Sequence, residues 1–274
     1  MNSLESTDHD SIPTLRFSQS LDVSSMPIAC RISGRIFAGL LATALLSVAA
    51  RPAAAQVQVP RSGKYFPLDQ TVQPGKAGMW SVLTRRDPVL ERGYFQPIRV
   101  EVPGTAKVTF YAGSPEEIAS APAPASAAFL VGRLYRLKIS NIAEFPGLEL
   151  FPTVELLDRL HPPAGKASNY PIPLTITEEE IESVLQGRLV TKVVYLEQPT
   201  TAYVGPSADR IRNLRADPHS NALAIADQHG RPMAIVRIGG RVPVTHGEDD
   251  AFYGSGAPVK FPADTPFKPA AVKP

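Results

Sequence analysis

Apolar and polar side chains alternate along much of the stretch from Met79 to Gly240, and a period of two sends successive side chains to opposite faces of a sheet. Strands are therefore the default element. Ile98, Val100 and Val102 alternate with Arg99 and Glu101, Pro103-Gly104 intervenes, and Ala106, Val108 and Phe110 alternate with Lys107 and Thr109. This reads as a hairpin with one wet face. Tyr135, Leu137 and Ile139 alternate with Arg136, Lys138 and Ser140, while Leu148, Leu150, Val154 and Leu156 share one side of the next segment. Pro152 interrupts that segment, which predicts an edge strand or a bulge.

Two places break the rhythm. Thr177-Glu178-Glu179-Glu180 has the form of a capping box, Ile181, Val184 and Leu185 share a helical face, and Gly187 suits a left-handed stop. Leu189 to Leu196 then reads as a buried strand. At Asp217-Pro218 an aspartate can cap and a proline can open a helix carrying Ala222, Ile225 and Ala226, with Gly230 ending it before the apolar strand Met233 to Ile238. Both units run helix, glycine, arginine, strand, the form of a short internal repeat. The fold class these patterns predict is mainly β, a β-sandwich of antiparallel strands with two short helices and disordered N- and C-terminal segments.

The flanks read differently. Ile36 to Ala50 is an uncharged run after Arg31 and Arg35, leading into Ala53-Ala54-Ala55, the layout of a secretory signal peptide. Residues 26–55 are assigned to that signal, with Met26 as the better start and residues 1–25 as an upstream extension that is not native. The run is shorter than the ~20 residues of a membrane-spanning helix. Residues 56–78 form a Pro/Gly-punctuated irregular lead, residues 79–240 the folded domain, residues 112–127 a long loop poor in bulky apolar side chains, and residues 241–274 a disordered Pro-rich tail.

Composition narrows the function classes. The single cysteine, Cys30, precedes the apolar run, so a chain cut after Ala55 has no thiol for a disulfide, a nucleophile or a thiolate zinc site. Residues 1–55 carry equal numbers of acidic and basic side chains, so the net charge of +2 survives their removal. Nothing in that balance points to nucleic acid.

Three stretches, Gly132 to Ile142, Leu148 to His161 and Gly230 to Gly240, resemble uncharacterised exported proteins of planctomycete-type bacteria over roughly residues 130–243. That resemblance implies export and a compact domain, and it assigns no site. In architecture alone, the strand pattern is similar to transthyretin-like and immunoglobulin-like modules, which serve many roles.

Candidate chemistry is sparse. His161, His219, His229 and His246 have no ligand partner at helical or strand spacing, and His246-Gly-Glu-Asp-Asp250 lacks the oxygen spacing of an EF-hand loop. The sequence contains no Gly-x-Ser-x-Gly elbow, phosphate-binding glycine loop or dinucleotide fingerprint, and Gly239-Gly240 reads as a turn. Glu149, Glu155 and Asp158 read as the wet side of a strand. The expectation is an exported, non-enzymatic envelope module without catalytic, metal or cofactor residues, whose partner is an envelope protein or wall polymer. The alternative is a secreted hydrolase or carbohydrate-acting enzyme with a site near Glu155, Asp158 and His161, joined by Arg133 or Tyr195.

Overall fold

A computed structural model describes residues 17–19, 63–84, 93–199, 212–217, 219–244, 250–254, 256–262 and 268–269. The expected signal segment, residues 26–55, lies outside them. In chain order the elements are β1 (Phe17–Gln19), α1 (Lys76–Leu83), β2 (Phe95–Glu101), β3 (Lys107–Tyr111), β4 (Glu117–Pro122), β5 (Ala125–Leu130), β6 (Leu134–Ser140) and β7 (Thr153–Leu156). There follow β8 (Ile172–Thr175), α2 (Glu178–Leu185), β9 (Val190–Glu197), β10 (Arg212–Asn213), α3 (Ala222–His229), β11 (Gly230–Ile238), β12 (Val259–Lys260) and β13 (Lys268–Pro269).

The strands form a nine-stranded sheet, β10-β1-β9-β11-β7-β6-β3-β4-β13, and a four-stranded sheet, β12-β5-β2-β8. Pairing is antiparallel except between β1 and β10 and between β2 and β8. The mainly β sandwich read from the sequence is thus the observed fold. Its principal core lies between the sheets, where Ile98, Val100, Phe129 and Ile172 meet Phe110, Leu137, Ile139, Leu156 and Val236. Each such side chain contributes on the order of 1.5–3 kcal/mol by leaving water. Phe129 stacks on Tyr135 at 3.9 Å between ring centroids, joining the layers.

A second core covers the opposite face of the larger sheet. There Leu157, Val193, Tyr195 and Ile235 pack under Tyr65, Ala77, Ala222, Leu223 and Ala226. Residues 63–84 and α3 therefore make a third layer, which the pattern of a two-layer sandwich does not predict.

Several expectations are corrected. Strands β2 and β3 are not a hairpin, because they belong to different sheets and the Pro103-Gly104 connection passes from one to the other. Pro152 is neither at an edge nor at a bulge. It is buried between β6 and β11, its carbonyl accepts from the Leu137 amide at 3.0 Å, and the same register continues to the Ile139–Leu150 bridge, so the missing N–H costs one rung. Residues 112–127 are not a long loop, since β4 and the start of β5 lie there.

The lead of residues 56–78 is not irregular throughout its described part, for Tyr65 is buried and α1 begins at Lys76. The tail of residues 241–274 also contributes structure. Phe252 and Ala257 are buried, β12 extends the smaller sheet, and Tyr135 donates its hydroxyl proton to the Pro258 carbonyl while accepting from the Leu130 amide. Burial pushes that phenol up to about 12. Of the supposed upstream extension, residues 17–19 are described, as β1 on the edge of β9.

The two helices read from the sequence are present, with α1 additional. Thr177 and Glu180 close the expected capping box and Gly187 is left-handed at φ +79°. Helix α3 starts later than expected, with Asn221 rather than Asp217 as its cap: its side chain accepts from the Ala224 amide at 3.0 Å. Gly230 stops α3 by entering β11 in extended backbone, where any added Cβ would overlap the Leu196 carbonyl of the neighbouring strand.

Candidate functional site

Period two places Val154 and Leu156 toward the sandwich core and Thr153, Glu155 and Leu157 on the other face of the larger sheet. The same rule on β11 sends Val236 inward and Ile235 and Arg237 outward. In the observed register Ile235 faces Glu155 and Arg237 faces Thr153, so Glu155 and Arg237 are diagonal neighbours on adjacent strands. They form an ion pair, Nη1 to Oε2 3.0 Å, with side chains 8% and 0% exposed. Glu155 is thus not on a wet face, because residues 63–84 lie over it.

Each charge is completed by that covering segment. The other Glu155 oxygen accepts the Gly78 amide proton at 2.6 Å. Gly78 lies in the first turn of α1, where amides lack intrahelical acceptors and an anion is favoured by the helix dipole, and the cap residue Gly75 supplies no side-chain acceptor. Arg237 Nη2 donates to the Gln70 and Val72 carbonyls at 3.4 and 3.3 Å. The fit is close: a Cβ on Gly78 would sit 3.2 Å from Glu155 Cγ and from the Gly132 backbone. A buried charge pair needs such extra donors and acceptors to offset its desolvation.

Asp158 holds the start of the same segment. Its Oδ1 accepts the Arg159 amide at 2.8 Å, and its Oδ2 lies 3.4 Å from Lys64 Nζ and 3.8 Å from Arg231 Nε. Gln70 adds two bonds to the α3 end, from its amide to the Ser220 carbonyl and from the Ala222 amide to its oxygen. Asp227 accepts the Lys64 amide at 2.9 Å.

Burial raises the Asp227 carboxyl above the ordinary aspartate range, opposed by the Lys64 amide bond and ammonium. The folded chain keeps this proton to higher pH than the unfolded chain, so the group reduces stability as pH rises from the ordinary value through the folded one. Asp227→Asn, whose oxygen still accepts from Lys64, is expected to melt higher than the native chain at neutral pH and equally in acid. Melting curves across pH check this. A lower neutral melting temperature would mean that the Asp227 charge is net favourable.

The sequence-nominated groups do not form one constellation. Glu155 is committed to Arg237 and α1, Asp158 to Lys64 and Arg231, and His161 is exposed past the strand end. Tyr195 is buried in the second core and Arg133 is exposed. Glu149 is exposed and pairs with Lys138 at 3.3 Å, which suits the wet-side reading. His219 and His229 are also exposed. The acidic turn at His246 rests on residues 245–249, outside the described residues. Among the described residues, no group of three or more His, Cys, Asp or Glu side chains is placed to hold a metal ion.

Sequence reasoning missed Arg237 and Lys192, although each is a cation within an apolar stretch of strand, which signals a buried partner. Lys192 pairs with Glu180 at 2.8 Å and donates to the Thr175 carbonyl. The other missed feature is the outer surface of the clamped segment, where Phe66, Met79, Trp80 and Leu83 are 52%, 55%, 37% and 71% exposed. Among the described residues, no helix is long and apolar enough to cross a membrane. No family model, curated protein or solved structure matches the chain.

Proposed function

We propose that this protein is an exported, non-enzymatic β-sandwich module that acts in the cell envelope as a structural or binding component. The observation that carries this reading is the use of the two buried candidate carboxylates. Glu155 and Asp158 are spent on fastening residues 63–84 across the sheet, and that segment turns large apolar side chains outward. A general acid or base must reach a substrate proton, and a carboxylate occupied by an arginine and a helix amide is poorly placed to do so. The arrangement therefore weighs against the hydrolytic alternative at Glu155, Asp158 and His161. Export is supported by the Arg31/Arg35, Ile36–Ala50 and Ala53-Ala54-Ala55 layout and by the resemblance to exported proteins.

The test is fractionation of cells carrying the tagged full chain, followed by cross-linking in the envelope fraction and mass spectrometry of what is joined. The reading expects a processed chain in that fraction with a reproducible set of envelope partners. A chain left in the cytoplasm, or one free and monomeric in the exported fluid, would overturn it.

A further inference from the structure

Helix α1 is built inside out. Its inward residues are the small Ala77, Gly78 and Ser81, all buried, whereas Lys76, Met79, Trp80 and Leu83 fall at positions i, i+3, i+4 and i+7 and are exposed. The cause is the clamp described above. With Gly78 held against Glu155 and the Gly132 backbone, no side chain fits at that position; Val82 is half-buried beside Gly132, and Met79, Trp80 and Leu83 project away from the sheet. Phe66 is exposed in the same segment, and Trp80 Nε1 donates to the Lys64 carbonyl at 2.9 Å, which ties the indole to that segment with its polar atom satisfied.

From this we infer that the outward face of α1, with Phe66, is a docking surface for an anionic lipid bilayer. Three observations choose that occupant. A tryptophan with its N–H satisfied beside methionine, leucine and phenylalanine is the chemistry of a membrane interface, where an aromatic ring rests at headgroup level. The charge is complementary: α1 contains no acidic residue, Lys76 shares its apolar stripe, and the sequence that follows, Arg85-Arg86-Asp87, is net basic. A lysine stem can lie along the apolar side chains while its ammonium meets lipid phosphate. Finally, eight residues are too few to span, so the helix rests on the surface.

This inference names the partner of the module proposed above, and it rests on that proposal only for which membrane is met. Trp80 is the sole tryptophan of the chain, so its emission reports on this face alone. The experiment adds the full chain to phosphatidylglycerol vesicles, or to phosphatidylcholine vesicles, each containing spin-labelled lipid. The apolar run at Ile36–Ala50 can hold the chain on any vesicle, so the readout is quenching of Trp80 rather than co-sedimentation. Expected are a blue shift and quenching on the anionic vesicles, weakened by salt and by Lys76→Glu. Met79→Ser with Leu83→Ser should lower the fraction quenched by about tenfold in partition terms while the far-ultraviolet dichroism stays unchanged.

Trp80 emission that ignores vesicles, or equal quenching by neutral and anionic lipid, would overturn the inference. So would a lipid-free, concentration-dependent blue shift with a doubled mass, which would identify a second copy. A cytoplasmic location in the fractionation experiment would instead defeat the envelope proposal and leave a positive vesicle result standing.

Discussion

Replacing Glu155 with alanine is expected to lower folding stability by roughly 3–5 kcal/mol, the usual cost of leaving a buried charge without its partner. The Arg237 side chain is 8% exposed and, among the described residues, would keep the Gln70 and Val72 carbonyls, while the Gly78 amide would lose its acceptor at the start of α1. Arg237→Met should cost a similar amount by stranding the carboxylate. Joining the substitutions as Glu155→Met with Arg237→Met should recover much of the loss, because a matched apolar pair removes both desolvation penalties. Urea denaturation of the two single variants and the double variant measures this coupling. Simple additivity would mean that the pair does not act as one unit.

The second large effect is expected at Glu180. This residue serves two elements at once: one oxygen closes the capping box by accepting the Thr177 amide at 2.9 Å, and the carboxylate pairs with Lys192 on β9. The Lys192 side chain is 3% exposed and also donates to the Thr175 carbonyl, so Glu180→Ala takes the carboxylate away from a buried ammonium. The expected loss is again roughly 3–5 kcal/mol. Thr177→Ala removes only the cap bond from the Glu180 amide and should cost about 1 kcal/mol. Comparing the two denaturation midpoints separates the ion pair from the cap. Equal losses would show that Lys192 gains nothing from Glu180.

The alternation that defines β2, β3 and β6 was legible because it depends on side-chain direction alone, and the capping box at Thr177 was legible because it is local chemistry. Partner choice is not local. Nothing in the alternation of β2 and β3 says that the Pro103-Gly104 connection crosses between sheets rather than folding a hairpin. The stretch around Ala119, Ala121, Ala125 and Ala127 looked too poor in bulk to order itself. All four are buried, and Ala121, Ala125 and Ala127 share a core in which Phe110, Phe129 and Phe261 supply the volume. Small side chains in a strand are then the space that aromatic neighbours fill.

The candidate site shows the same division. Alternation put Glu155 on the face away from Val154 and Leu156, and the structure agrees. That the face is dry depends on residues 63–84, whose order comes from contacts with β7, β11 and α3 rather than from any period of their own. The large side chains of α1 carry no such signal either, since an apolar residue in a short helix is ordinarily read as core. It is the glycine at position 78, against Glu155, that turns them outward.

The Glu155–Arg237 pair holds α1 to the sheet and thereby presents the Trp80 face. Residue-resolved hydrogen exchange at Gly78 tests it most directly, because that amide proton is bonded to Glu155 and to no helical carbonyl. Gly78 is expected to be protected in the native chain and to exchange far faster in Glu155→Ala, measured where that variant is still folded, while the amides shared by β9 and β11 stay slow. Rapid exchange at Gly78 in the native chain, or protection unchanged by the loss of Glu155, would contradict it.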